Sequence, residues 1–299
     1  MAVKVISDTT SYIEKEVQEE LGIRLIPLSV HFPDESFPEN EIDNAYFYGR
    51  VTREALFPTS SQPSMGELLL VFREIVEAGD AVVAIFISSE MSGTYLNATA
   101  ALKELLVEYP DAQVAIVDSR TNCMSLGMQV LEAARAAKDD ASFHDVVEVA
   151  LKARDRVDFY FTPKTLEYLK KGGRIGTASA LFGNMLNISP ILKVDMDKGM
   201  THLTARVRGS SRAVGKLYEV LDTDVSKHGV ERIYVHHIDA LDKAEEMQKY
   251  LNTQYPEIPV NICTIGPVIG LHVGPGTVGL AYTTSTAKNV IKDMYVRSQ

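Results

Sequence analysis

Two clusters of hydroxyls and one histidine are the residues best placed in this chain to do chemistry. The hydroxyls are Thr59-Ser60-Ser61, inside PTSSQPS, and Ser88-Ser89 through Ser92-Gly93-Thr94, inside SSEMSGTY. The histidine, His272, stands in GPVIGLHVGPGTVG, where five glycines and two prolines shape residues 266–279. Each hydroxyl cluster lies beside a predicted helix start, where free backbone N–H groups and the helix dipole favour an anion. Asp8, Thr9, Asp118 and Ser119 are expected on the same sheet edge. Hydroxyls, N–H groups and an imidazole together would suit a carboxylate or a phosphate. A Ser/His hydrolase would use the same atoms, with Ser92 as nucleophile, His272 as base and Asp118 or Asp8 as third member. The chain lacks G-x-S-x-G, and SEMSGTY is not a nucleophile elbow, so the hydrolase stays the alternative.

Other patterns carry less. Gly274-Pro-Gly-Thr-Val-Gly279 matches GxGxxG, but the GLAYTT that overlaps its end favours strand, and twenty residues follow Gly279. A dinucleotide fingerprint needs a helix opening inside it and a further strand carrying an acid, which this stretch does not offer. Its glycines and prolines predict a shaped loop between strands. His236 and His237 end a predicted strand as surface or core residues, and no His, Cys or carboxylate cluster has metal spacing. Cys123 and Cys263 are far apart and fit no CxxC pattern, so each is expected to be a small buried hydrophobe. Lys170, Lys171 and Arg174 form the one local basic patch, either a solvated turn or a docking point for a phosphate or a partner.

The elements that must position these groups read as α/β. With 299 residues, 45% of them hydrophobic and 23% charged, the chain has room for one large domain or two ordinary ones. A net charge of −10 argues against a nucleic-acid partner, which usually leaves a basic footprint. No signal peptide or membrane-length apolar stretch is visible, so a cytoplasmic location is expected. Strand, polar loop and helix recur: Val3–Ile6 before a helix over Ile13–Leu21, Ala81–Ser88 before one over Leu96–Glu108, and Gln113–Ser119 before one through Met128 to Ala137. That recurrence predicts a parallel sheet with ligands at the carboxyl ends of its strands. Between them, Arg24–Phe32 reads as a strand and Pro33–Asn44 as an acidic surface excursion. Ser64 and Glu67 have capping-box spacing ahead of an apolar face made by Leu68, Leu69, Phe72, Ile75 and Val76.

Further on, Phe143–Arg154 reads as a helix, Val157–Thr162 as a strand, and Thr165–Lys171 and Ala178–Leu186 as short helices. Ile188–Asp195 and Met200–Val207 flank Asp197-Lys198-Gly199 as a hairpin, which makes the second sheet mixed. Helices over Ser211–Leu221 and Leu241–Tyr255 alternate with strands Arg232–His237, Val260–Ile265 and Val278–Thr283. The texture changes near residue 158.

PTSSQPS, SSEMSGTYLNA, IVDS, LEYLKKGGRI and GPVIGLHVGPGTVG occur in this order and spacing. Together they resemble the DegV family, including the fatty-acid-binding subunits of bacterial fatty acid kinase, over nearly the whole chain. The resemblance implies a two-domain DegV-like α/β fold: residues 1–157 as a lipid-binding domain with a mainly parallel sheet, and residues 158–299 as a mixed-sheet domain that closes the headgroup site. It implies a long-chain fatty acid in an apolar tunnel, no other cofactor, and a carboxylate held by Ser60, Ser92 and His272. Ser61, Gly93, Thr94 and Gly270 complete the expected ligand-binding set. Ser60 stands where the family motif TSQPS has threonine, which keeps the hydroxyl and loses the stiff β-branched side chain. The carrier itself is expected to be non-catalytic and to present the carboxylate to a separate ATP-dependent kinase subunit, with Arg174 and Arg208 facing that partner. Any contact with a membrane surface would be transient. Burying roughly sixteen carbons at about 0.8 kcal/mol per CH₂ gives on the order of 12 kcal/mol gross, so the tail would dominate affinity and the polar groups orientation.

Overall fold

The computed structural model describes residues 1–181, 188–291 and 295–298. The chain runs through β1 (Val3–Asp8), α1 (Lys15–Leu21), β2 (Arg24–Ile26), β3 (Ser29–His31), β4 (Ser36–Pro38), α2 (Asn44–Glu54), β5 (Thr59–Ser61), α3 (Met65–Glu77), β6 (Ala81–Phe86), α4 (Thr94–Glu108), β7 (Val114–Asp118), α5 (Cys123–Lys138) and α6 (Phe143–Arg154). It continues with β8 (Val157–Thr162), α7 (Glu167–Lys171), β9 (Ile188–Asp195), β10 (Met200–Arg208), α8 (Ser210–His228), β11 (Val230–His237), α9 (Leu241–Gln254), β12 (Val260–Thr264), α10 (Pro267–Val273), β13 (Val278–Thr284) and β14 (Tyr295–Arg297).

Two large sheets result. The first has the order β14-β7-β6-β1-β2, with its four N-terminal strands parallel. Its central strand β6 is buried at all six positions, because helices cover both faces and a continuous apolar run has no side to give to water. Leu68 and Phe72 of α3 and Leu102 and Leu105 of α4 cover one face. The capping box of α3 is formed: Ser64 Oγ accepts from the Glu67 N–H at 3.2 Å, and the Glu67 carboxylate accepts from the Ser64 N–H at 2.7 Å.

The second sheet, β10-β9-β8-β13-β11-β12, is mixed. Leu217 and Leu221 of α8 and Met247 and Leu251 of α9 pack on one of its faces with Ile233, Val235 and Tyr282. Helix α5 contacts β1 and β6 of the first sheet and β8 and β13 of the second, so it is sandwiched between them. That position explains why Leu126, Met128, Val130 and Leu131 are all buried although they point in different directions around the helix. The β9–β10 hairpin reaches back to the first sheet. Ser88 Oγ donates to the Gly199 carbonyl at 2.7 Å, and Arg120, itself buried, donates to the carbonyls of Met196 and Asp197. Gly199 has φ +66°, and a Cβ there would press on Ser88 Oγ, so this turn needs glycine twice over.

Several expectations change. Arg24–Phe32 is two strands, β2 in the first sheet and β3 in a small antiparallel sheet β4-β3-β5, because the chain turns at Pro27 and Leu28. The acidic segment after Pro33 is not only surface: it forms β4 and a 3₁₀ turn, Glu39–Glu41, in which Glu39 is 6% exposed. The hydroxyl cluster at Thr59–Ser61, expected only as a polar stretch beside a helix start, is strand β5. Residues 266–279 hold a helix, α10, rather than a loop throughout. Within the helix expected over Ala178–Leu186, a 3₁₀ stretch spans Gly176–Leu181 and residues 182–187 lie outside the described residues. The first strand of the second sheet starts at Val157, and β14 returns to pair antiparallel with β7 of the first sheet. A C-terminal unit of 158–299 therefore does not keep its last strand.

Candidate functional site

Between the two sheets lies a cavity whose empty space is about 820 Å³, part of it open to solvent. Its body is apolar. Ile87 comes from the end of β6, Cys123 from the start of α5, Phe159 and Phe161 from β8, Val194 from β9, and Val268 and Ile269 from α10. Phe159 and Phe161 stack at 5.3 Å, the i,i+2 pair that strand alternation puts on one face. His236 belongs to this wall. Its ring sits edge-on to Phe159 at 4.8 Å, burial pushes its pKa down to about 3, and it is therefore neutral.

The mouth is polar and is assembled from strand β5 and from the ends of α4, α7 and α10. Ser60 stands in the middle of β5, and its Oγ is 2.9 Å from His272 Nε2. Ser61, one residue on, points to the other face of the strand and meets His31 Nε2 at 2.8 Å, so the two serines part ways. Ser92 precedes α4; its Oγ lies 2.9 Å from Thr94 Oγ1 and accepts from the Thr94 N–H at 3.4 Å. Gly93 is the N-cap of α4, and a Cβ there would meet the Gln62 side chain at 2.7 Å. The mouth thus sits at the N-terminus of a 15-residue helix, whose dipole favours an anion. Arg174 follows α7 through the Gly172-Gly173 turn and lines the cavity; its Nε donates to the Met91 carbonyl at 3.1 Å and its Nη1 to that of Gly172 at 2.7 Å.

His272 stands in the last turn of α10. Burial and the neighbouring Arg174 guanidinium hold its pKa down at about 4, so the ring is neutral at pH 7. Its Nδ1 is buried without a hydrogen-bond partner among the described residues and lies against Gly172, where any Cβ would collide with it. Helix α10 is fixed from behind by Glu39, whose Oε1 accepts from the Val268 N–H at 2.9 Å and from Tyr12 Oη at 3.0 Å. Tyr48 Oη donates to the carbonyls of Ile265 and Gly266. Gly270 belongs to this support: it is not on the cavity lining, and a Cβ there would overlap the Tyr48 hydroxyl.

The site therefore brings Ser60, Ser92, His272 and Arg174 together and turns Ser61, Thr94 and Gly270 to neighbouring tasks. Arg208 is exposed at the end of β10 and lies off the cavity. Asp8 and Asp118 are fully buried acceptors that tie strand ends together, Asp8 to the Ile87 N–H at 2.8 Å and Asp118 to Ser89 Oγ at 2.6 Å. Neither approaches His272 as a third member would. Lining residues the sequence reading passed over include Gln62, Met91 and Asn122, while His236, expected as a surface or core residue, is a buried part of the wall. Gln62 and Met91 lie inside motifs already quoted, and Asn122 lies three residues beyond the predicted strand Gln113–Ser119, which was the available signal. Among the described residues, no group of three or more His, Cys, Asp or Glu could hold a metal ion, and no helix is long and apolar enough to cross a membrane.

These features define a class: two α/β sheet units with a largely apolar cavity between them, onto which hydroxyls, an imidazole and an arginine open. The family model described as "Uncharacterised protein, DegV family" matches residues 2–285, and the chain belongs to that family. It is 45% identical over 284 residues to a DegV domain-containing protein of Clostridium acetobutylicum, covering 95% of this chain and 98% of the relative. Among solved structures, the fold matches a Thermus thermophilus DegV family protein described for its fatty acid binding (TM-score 0.87, 28% identity, 95% of this chain and 100% of that one). It also matches DegV of Bacillus subtilis, described as a fatty acid binding protein (TM-score 0.85, 33% identity, 95% and 99%).

Proposed function

We propose that this protein is a cytoplasmic, non-catalytic carrier that holds a long-chain fatty acid in the inter-sheet cavity. Its carboxylate lies between Ser60, Ser92 and His272. The observation that carries the reading is the cavity's lining, a largely apolar body that includes Ile87, Phe159, Phe161, Val194, Val268 and Ile269, onto which Ser60, Ser92, His272 and Arg174 also open. The fatty acid binding described for two structural neighbours supports it. Two serine hydroxyls can donate to a carboxylate, the α4 N-terminus adds favourable potential, and Arg174 adds a cation. A neutral His272 can donate one N–H without charge. The single test is to denature the purified protein and identify released lipid by mass spectrometry. A long-chain fatty acid is expected, and its absence together with no binding on titration would refute the reading.

The carrier is further proposed to hand its carboxylate to an ATP-dependent kinase subunit, with Arg174 and the exposed Arg208 at the contact. Arg174→Ala is expected to retain lipid and to lose acyl phosphate formation by that kinase; an unchanged rate would remove Arg174 from the contact. A hydrolase using Ser92 and His272 has little support. His272 is bonded to Ser60 rather than Ser92, no carboxylate is bonded to its Nδ1, and a base with a pKa near 4 is a weak one at neutral pH. A serine-reactive fluorophosphonate is expected to leave Ser92 unlabelled.

A further inference from the structure

Behind the sheet wall that closes the cavity lies a second depression, which the fatty acid reading does not use. It is a groove of about 1090 Å³ on the α8–α9 face of the six-stranded sheet. Strand alternation separates the two spaces: on β8 Phe161 faces the cavity and Thr162 the groove, and on β13 Gly279 faces the cavity and Val278 the groove.

The pairing pattern makes β8, β10, β11 and β12 run in one direction. Thr162 is the last residue of β8, so the groove opens at the carboxyl edge of these strands, where α/β sheets bind ligands. At that edge β10 leads into α8, a 19-residue helix whose N-cap is Gly209 at φ +87°. No side chain caps it, which leaves first-turn N–H groups open, and Ser210 and Ser211 of that turn line the groove. Lys164 and Lys243 also line it, both exposed and neither in an ion pair with a described residue. Among the described lining residues, Glu246 is the only carboxylate.

Thr162 is the independent observation. It is 7% exposed, faces the groove, and its hydroxyl makes no hydrogen bond with a described residue. The hydroxyl is not fully enclosed, and with no partner among the described residues its donor and lone pairs are open on the groove side. Beside it, Tyr218 and Tyr250 stack at 4.3 Å over an apolar floor of Val214, Met247 and Val278.

We propose that this groove binds a phosphoryl group, seated at the N-terminus of α8. The N–H groups and hydroxyls of Ser210 and Ser211 and the hydroxyl of Thr162 donate to its oxygens, and Lys164 and Lys243 balance its charge. The phosphoryl could be free phosphate or part of an organic phosphate whose planar portion lies against Tyr218 and Tyr250.

Calorimetric titration of the intact protein with inorganic phosphate and with phenyl phosphate, at fixed ionic strength, tests this. Saturable binding is expected, weakened about tenfold by Thr162→Val and severalfold by Lys243→Gln, as loss of one hydrogen bond to a charged group implies. Equal affinity for the two probes would support recognition of the phosphoryl alone, and tighter phenyl phosphate binding would support an organic phosphate. No saturable binding of either probe, or binding unchanged in both variants, would overturn the proposal. Both variants lie across the sheet from the fatty acid cavity and are expected to keep their thermal midpoint and released lipid, so this test and that of the carrier reading can fail separately.

Discussion

The body and the mouth of the cavity are built by different parts of the fold. The body comes from strand interiors and helix faces, such as Phe159 and Phe161 on β8, Val194 on β9 and Cys123 on α5, residues that would be buried in any packed core. The mouth comes from element ends and turns: Ser92 before α4, His272 in the last turn of α10, Arg174 after α7. In the proposed reading the first region holds the apolar chain. The second carries few groups, each held by a specific neighbour, and it can fix which end of the ligand is presented. Affinity should therefore reside in the body and orientation in the mouth.

The largest expected effect breaks the body. Ile87→Trp would fill space that otherwise holds several methylenes; losing burial of three or four of them at about 0.8 kcal/mol each lowers fatty acid affinity by about a hundredfold. Fluorescent fatty acid displacement measures it, with a thermal melt to show that the variant is folded. At the mouth, Ser60→Ala or Ser92→Ala each removes one donor to a partly solvated carboxylate and should cost about tenfold, at the low end for hydrogen bonds to charged groups. If the mouth variants cost more than Ile87→Trp, the division of labour is reversed.

The smallest effect on affinity is expected behind α10. Burial pushes the Glu39 carboxyl up to about 7 from 4.5, so the folded protein keeps a proton that the unfolded chain releases. Glu39 then costs nothing below about pH 4.5, and its contribution to stability falls as pH rises toward 7, levelling off above that. The histidines act in the opposite sense: His272, down at about 4, and His236, down at about 3, lower stability as pH falls below 6.5, where the unfolded chain takes up protons first. Glu39→Gln should remove the carboxyl component, so that stability between pH 4.5 and 7 declines less with pH than in the parent, while fatty acid affinity at pH 7 changes less than about twofold. Denaturant melts across that range measure it, and an unchanged profile would show that Glu39 does not hold its proton in the folded state.

How much of this was legible in the sequence follows the same division. The alternation of buried strand and helix, the capping box at Ser64 and the hairpin around Gly199 were readable because each rests on local chemistry. The grouping of Ser60, Ser92 and His272 was implied by the family resemblance that the motifs carry, and the fold lines one cavity with all three. Helix α10 was not, because Gly266, Gly270 and Gly274 look like loop residues. Their spacing of four was the overlooked signal: they line the edge of a helix that approaches Glu39, Tyr48 and Tyr168 too closely for any side chain. Glu39 was misread for a related reason, since its partners Thr9, Tyr12 and Val268 lie at sequence separations of 30, 27 and 229 and no local pattern announces them. The opposite orientations of Ser60 and Ser61 became visible only once Thr59–Ser61 proved to be a strand.

The most direct test of the central claim uses oleic acid labelled with ¹³C at its carboxyl carbon, bound to the protein and observed by NMR. The account predicts one bound carboxyl resonance that moves in both Ser60→Ala and Ser92→Ala and stays put in Ile87→Val. A carboxyl resonance indifferent to both serines would contradict it, whatever the affinity.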